Sequence, residues 1–245
     1  MSTEIDKLIQ ILKDSNNIVF FGGAGVSTES NIPDFRSSNG LWNEKLQINL
    51  TPEQLVSHTM FMRYPEEFFE FYRDKLIYPE AKPNAAHIAL AKLEEMGKLK
   101  AIVTQNIDGL HQAAGSKNVY ELHGSVLRNY CMTCNAFYDE KFISESKGIP
   151  TCPKCGGKVK PDVVLYEEGL DNDVITGAVR AISQADTLII GGTSLVVYPA
   201  AGLIDYFKGK NLILINKSST SADNKANLVI HEAIGKVLGE AVDNI

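Results

Sequence analysis

The four cysteines of this chain fall in two pairs, Cys131-Met-Thr-Cys134 and Cys152-Pro-Lys-Cys155. Two residues between partners let one tight knuckle offer both thiolates to a single ion, and the stretch 135–151 between the pairs matches zinc-ribbon spacing. Gly156-Gly157 adds the backbone freedom such a knuckle needs. Four thiolates close a tetrahedral site with no position left for water, so a zinc held there is structural and not catalytic. A redox dithiol or four unrelated core cysteines are the other readings of these residues. A second candidate is Gly23-Ala24-Gly25-Val26-Ser27-Thr28, which directly follows the apolar run Ile18-Val19-Phe20-Phe21. Glycines let backbone approach a pyrophosphate, and a helix start would aim amides at it. Thr28 stands where a third glycine would complete the fingerprint, and no clean second strand ends in an acid about 20 residues on. The turn therefore fits phosphate binding or a plain strand-to-helix connection. A third group is polar: Thr104-Gln105-Asn106-Ile107-Asp108, His123-Gly124, Gly192-Thr193-Ser194 and Asn216. His123 has the side chain for a general base, since imidazole titrates near neutral pH. Taken alone it also fits a surface or satisfied core histidine, and His58, His87, His111 and His231 are read that way.

The elements that must position these groups follow from periodicity. Ile5, Leu8, Ile9 and Leu12 set an amphipathic helix over 3–15, and 84–96 is a second helix stopped by Gly97. The aromatic-rich stretch 52–78 is expected to be helical, and 28–50 an ordered irregular loop. Short apolar runs at 18–21, 101–104, 119–122, 187–190, 212–215 and 228–230 alternate with helical stretches. That alternation predicts an α/β fold with a Rossmann-like parallel sheet covered by helices on both faces. The cysteine region, 126–160, reads as an insertion into it. The polar groups above then lie just beyond strands, where open α/β sheets bind ligands, although each cluster alone also fits a cap or turn.

Composition excludes several classes. The chain has 245 residues, 44% hydrophobic and 22% charged, which is ordinary for a soluble globular protein and not for a disordered or low-complexity one. The net charge of -6 argues against bulk attraction to nucleic acid or anionic membrane. No apolar run approaches the ~18 residues of a membrane span, and Met-Ser-Thr-Glu-Ile-Asp carries acids where a signal peptide needs bases. A cytoplasmic location is expected, where disulfides are rare.

Taken in order, the motifs resemble those of the sirtuin family of NAD-dependent protein deacylases. The resemblance runs from Ile18 to the last helix. It rests on Gly23-Ala24-Gly25-Val26-Ser27, Ile32-Pro33-Asp34-Phe35-Arg36, Thr104-Gln105-Asn106-Ile107-Asp108-Gly109-Leu110-His111 and Leu122-His123-Gly124. The cysteine pairs follow, then Lys160-Pro161-Asp162-Val163-Val164 and Gly192-Thr193-Ser194-Leu195-Val196-Val197-Tyr198-Pro199-Ala200. The resemblance implies one catalytic domain over 1–245, with a large part at about 1–35, 80–125 and 160–245. A small zinc-ribbon-containing module occupies about 36–79 and 126–159. It implies that acetyl-lysine attacks the nicotinamide ribose of NAD, giving nicotinamide, free lysine and O-acetyl-ADP-ribose. A longer neutral acyl group or mono-ADP-ribosyl transfer on the same scaffold is the alternative.

Roles also follow from the resemblance. His123 is the expected base toward a ribose hydroxyl, with Asn106 holding ribose and an ordered water. Gln105 bonds the ribose, Asp108 and the Ile107 backbone hold the carboxamide, and Phe35 covers the reacting face. Gly23, Ala24, Gly25, Thr28 and Arg36 lie along the phosphates. Thr193, Ser194, Asn216, Lys217 and the backbone near Ile234 hold the adenosine half. Val164, Tyr166 and Val197 line the acyl-lysine tunnel, where the peptide adds as a strand between 164–168 and the loop after Ser194. One structural zinc sits on Cys131, Cys134, Cys152 and Cys155. Acetylated proteins or peptides are the expected partners, with no nucleic acid or membrane, and the chain is expected to be a monomer. Several residues depart from the family pattern: Gly22 for Thr, Asn31 for Gly, and Leu165-Tyr166-Glu167-Glu168 for Phe-Gly-Glu, with Glu167 at the glycine. Phe69 and Tyr72 stand where the desuccinylase branch carries Tyr and Arg, so an acidic acyl chain lacks its bidentate partner and is disfavoured.

Overall fold

A computed structural model describes residues 2–35 and 50–245. Strands β1 (Ile18–Gly22), β2 (Leu99–Thr104) and β3 (Val119–Glu121) belong to one sheet with β7 (Thr187–Gly191), β8 (Asn211–Ile215) and β9 (Leu228–Ile230). Between them in sequence lie β4 (Gly124–Cys131), β5 (Phe137–Tyr138) and β6 (Val159–Val163), which form a separate sheet. The six-stranded sheet runs β3-β2-β1-β7-β8-β9 and every neighbouring pair is parallel. Its central strands β1 and β7 are buried along their whole length because both faces are covered. Along β1 the side chains alternate between two cores. Phe20 packs with α1 (Ser2–Asp14), α5 (Ala85–Glu95) and α9 (Ile234–Asp243) through Leu8, Leu12, Leu90 and Leu238. Val19 and Phe21 pack with α8 (Asn172–Gln184) through Ala178 and Ile182.

The strand order reverses beside β1. The chain steps outward to β2 and β3, leaves the sheet, and re-enters at β7 on the other side of β1. The connections after β1 and β7 therefore diverge and leave a crevice at the carboxyl ends, the switch point where such sheets bind ligands.

The excursion between β3 and β7 includes an antiparallel sheet, β5-β4-β6. It shares a core with α2 (Pro52–Leu55), α3 (His58–Arg63), α4 (Pro65–Lys75) and α7 (Glu140–Ser144), built from Phe61, Phe68, Phe69, Tyr72, Val126 and Ile143. The stretch expected to be helical over 52–78 is thus three short helices. Pro65 begins α4 and cannot continue α3, while Ser57 caps α3 by accepting from Met60 N. Asn84 caps α5, and Gly97 ends that stretch at φ 71°. The loop expected over 28–50 begins with a single turn at Thr28–Ser30, and its stretch 36–49, Arg36 included, lies outside the described residues.

Candidate active site and metal centre

A cavity of about 1020 Å³ opens at the switch point. Its chemistry begins where β2 ends. Asn106 is buried, and its Nδ2 donates to Ser27 Oγ at 3.0 Å. Ser27 in turn donates to Asp108 Oδ2 at 2.7 Å, and Asp108 Oδ1 accepts from Leu110 N. Three side chains from two strand ends are thereby locked into one orientation. Ser27 is the member that sequence reasoning left without a role, although it sits inside a quoted motif.

His123 lies on the same cavity, between β3 and β4. Its Nδ1 is 2.9 Å from the Gln105 carbonyl oxygen. A carbonyl only accepts, so Nδ1 carries the proton and Nε2 is left as the acceptor. Burial lowers the imidazole pKa from its ordinary 6.5, partly opposed by the Gln105 hydrogen bond. The ring is therefore neutral at pH 7 with its basic nitrogen available.

The glycine turn follows β1 as a single tight turn at Ala24–Val26. A Cβ on Gly23 would lie 2.9 Å from the Thr193 Cβ, and one on Gly25 2.8 Å from the Gly192 Cα. The turn and the loop after β7 are in backbone contact, with Gly25 N donating to Gly192 O at 2.8 Å. Thr193 ties this loop to the others. It accepts from Gln105 Nε2 and Leu195 N, and its carbonyl accepts from Asn216 Nδ2. Ala24, Thr28, Phe35, Ser194, Lys217 and Ile234 also line the cavity. Ile107 joins Asn106 and Asp108 in lining it, as do Val164, Tyr166 and Val197. All the expected site residues among the described ones thus meet in one cavity or in the cysteine cluster, and only Arg36 falls outside them. A slot of this size, lined by a glycine turn and by hydroxyl and amide groups, fits a dinucleotide.

The four cysteine Sγ atoms lie within 4.8 Å of one another, with Cys131 to Cys155 at 3.4 Å and Cys134 to Cys152 at 3.6 Å. Thiolates on a tetrahedral zinc, at Zn–S of about 2.3 Å, sit about 3.8 Å apart, so the set fits one ion with all four positions filled by sulfur. The two knuckles depend on left-handed residues, Asn135 at φ 56° and Gly156 at φ 76°. Tyr138 Oη lies 2.9 Å from Cys152 Sγ. Cys131 and Cys152 are buried in the small-module core, away from the cavity lining.

The Sir2 family model matches residues 23–199. An NAD-dependent protein deacetylase of Clostridium perfringens is 78% identical over 244 residues, covering 99% of this chain and 100% of the relative. One from Clostridium acetobutylicum is 67% identical and covers 96% of each. The chain belongs to the Sir2 family. Its fold matches a Sir2 structure with a deacetylated peptide and O-acetyl-ADP-ribose at TM-score 0.89 and 37% identity, covering 98% of both chains. A Sir2 homologue in complex with NAD matches at TM-score 0.87 and 38% identity, covering 97% of this chain and 92% of that one.

Its departures from the Sir2 pattern have local causes. At Gly22 a Cβ would meet the Phe20 ring at 2.5 Å and Val26 at 3.2 Å, so glycine makes room for the packed phenyl. Asn31 holds φ 62°, a left-handed turn that Asn tolerates. Phe69 and Tyr72 are wholly buried in the aromatic core of the small module, edge to face with each other. His87 and His111 are buried too, with ring centroids 4.8 Å apart. His58 bonds Glu168, and His231 bonds the Asn216 carbonyl.

Proposed function

We propose that this chain is an NAD-dependent protein-lysine deacetylase that moves the acetyl group from lysine to ADP-ribose. The observation that carries the reading is the cavity itself. A neutral histidine with a free acceptor nitrogen, a locked Asn106–Ser27–Asp108 chain and a glycine turn share it with the side chains of Val164, Tyr166 and Val197. NAD supplies the electrophilic ribose carbon, and its nicotinamide leaves with the bond electrons; one water is consumed overall. Gly23, Ala24, Gly25 and Thr28 lie along the phosphates, joined by Arg36. Thr193, Ser194, Asn216, Lys217 and the start of α9 at Ile234 take the adenosine half. Asn106 orients ribose and water, Gln105 bonds the ribose, and Asp108 with Ile107 holds the carboxamide. Phe35 covers the reacting face and keeps bulk water from hydrolysing NAD. His123 Nε2 takes the proton of a ribose hydroxyl. Val164, Tyr166 and Val197 guide the acyl-lysine in, and its peptide pairs by backbone along 164–168.

Cys131, Cys134, Cys152 and Cys155 would hold one structural zinc, which ties the small module together and takes no part in the chemistry. In this reading the chain is one catalytic domain, a Rossmann-like part at about 1–35, 80–125 and 160–245 with a small module at about 36–79 and 126–159. It acts as a monomer on acetylated proteins in the cytoplasm, without nucleic acid or membrane; no helix among the described residues is long and apolar enough to cross a membrane. Mass spectrometry of an acetyl-lysine peptide with NAD tests the reading. The expected result is free lysine, nicotinamide and O-acetyl-ADP-ribose; accumulation of NADH, or label moving from NAD onto protein instead, would overturn it. Succinyl-lysine is expected to turn over more slowly than acetyl-lysine, because Phe69 and Tyr72 offer no cation and are buried. Faster succinyl turnover would refute that preference.

A further inference from the structure

Beyond the acyl-lysine wall the backbone turns sharply, with Glu168 N donating to Leu165 O at 3.0 Å. Glu167 in that turn has φ 76°, a conformation that disfavours any residue with a Cβ. Its own side chain compensates. The carboxylate accepts from Thr59 N at 2.9 Å and Thr59 Oγ1 at 2.7 Å. The preceding residue is clamped as well: His58 N donates to Tyr166 O and Tyr166 N to Val56 O. Glu167 therefore holds a charge at a fixed place on the cavity lining, exposed to solvent.

Glu168 is paired with Lys160 at 3.1 Å and His58 at 2.9 Å. Among the described residues no cation forms an ion pair with Glu167. The Thr59 hydrogen bonds keep its carboxyl below the ordinary carboxylate range, and nearby His58 and Arg63 add to that. Val197, Tyr198 and Pro199 line the same cavity, and their segment Leu195-Val196-Val197-Tyr198-Pro199 carries no charged side chain. A peptide lying between the two walls meets an uncharged surface on one side and a fixed anion on the other.

We propose that Glu167 makes this enzyme prefer acetyl-lysine substrates carrying a lysine or arginine beside the modified residue. The inference rests on the deacetylase reading above. The test is a set of acetyl-lysine peptides that differ only in the flanking residue, Lys, Ala or Glu, with KM and kcat measured for wild type, Glu167→Gln and Glu167→Lys. An exposed pair supports a KM roughly two- to fivefold lower for the Lys-flanked than for the Glu-flanked peptide. The difference should vanish in Glu167→Gln, which keeps an acceptor for Thr59, and reverse in Glu167→Lys. Raising the salt to ~1 M, where the Debye length is ~3 Å, should also erase it. If wild type turns the peptides over with one KM whatever the flanking charge, or the preference survives in Glu167→Gln, the inference falls and the deacetylase reading stands. If no acetyl-lysine peptide is turned over, both fall.

Discussion

At the scale of single residues, the decisive quantity is the charge state of buried rings. His123 is held neutral by burial and oriented by the Gln105 carbonyl. Its pKa is lowered, so the acid limb of the kcat/KM profile should have its midpoint below 6.5. A midpoint above that value would show that another group is the base. His123→Ala should cost roughly 10²- to 10⁴-fold in turnover, read as deacetylated peptide by mass spectrometry. His87 and His111 give a stability effect instead. Burial pushes His111 down from 6.5 to about 3, and His87 down as well. Both are neutral in the fold, while the unfolded chain takes up protons from about pH 6.5 downward. The unfolded state binds more protons between those limits, so stability falls as pH drops from 6.5 toward 3. The melting temperature should accordingly fall more steeply between pH 7 and 4 in wild type than in His111→Phe. Tyr138 acts on the metal centre. Its hydroxyl lies 2.9 Å from Cys152 Sγ, placed to donate to a metal-bound thiolate, and loss of such a partner typically weakens metal binding by roughly 10- to 100-fold. Zinc should leave Tyr138→Phe faster than wild type in a chelator competition.

At the scale of elements, the site is a meeting of loop ends. The turn after β1 and the loop after β7 touch backbone to backbone, which is why Gly25 tolerates no Cβ. Gly25→Ala should force them apart at a cost of about 1–3 kcal/mol, the usual penalty of overpacking. Thermal melting checks the stability loss, and a raised KM for NAD with little change in KM for peptide would place the damage at the cofactor end. The same logic governs Gly124, which follows His123 at φ 73° and whose missing Cβ would clash with the Asp162 carbonyl oxygen. That close approach of β4 and β6 fixes the strand leading out of His123.

At the scale of the whole molecule, the cores on the two faces of the sheet are joined to the small-module core by two excursions of the chain, one between β1 and β2 that carries α2, α3 and α4 and one between β3 and β7 that carries β4, β5, β6 and α7. The sheet core is built from long apolar runs and needs no metal. The small-module core is a compact cluster of Phe61, Phe68, Phe69 and Tyr72 with Cys131 and Cys152 on its edge. Binding and folding are coupled at such metal sites, so stripping zinc should cost several kcal/mol. At ~2–4 °C per kcal/mol for a chain of this size, the melting temperature should drop by ~10 °C or more. Far-UV circular dichroism should keep most of its signal, because the parallel sheet and its helices stand apart from the cysteines.

Much of this was legible in the residues. The apolar runs of β1, β7 and β8 mark a sheet buried on both faces, because continuous burial leaves no alternation. The cysteine spacing marks a metal, because two thiolates two residues apart suit one knuckle. The ordered motifs mark the family and bring His123, Asn106 and the glycine turn into view. Other features depend on contacts between residues far apart in the chain. Spacing cannot show that Ser27 bridges Asn106 and Asp108, since the bridge exists only where two strand ends converge. Nor can it show that 52–78 breaks into three helices, because one break is set by pairing with Tyr166, more than a hundred residues on. The sequence places a charge at Glu167, but only the fold turns its backbone left-handed, ties its carboxylate to Thr59 and sets it on the cavity lining. Local patterns are set by propensity and periodicity along the chain. The protonation of His123 and the reach of Glu167 are set by burial and by neighbours that the chain brings together only when it folds.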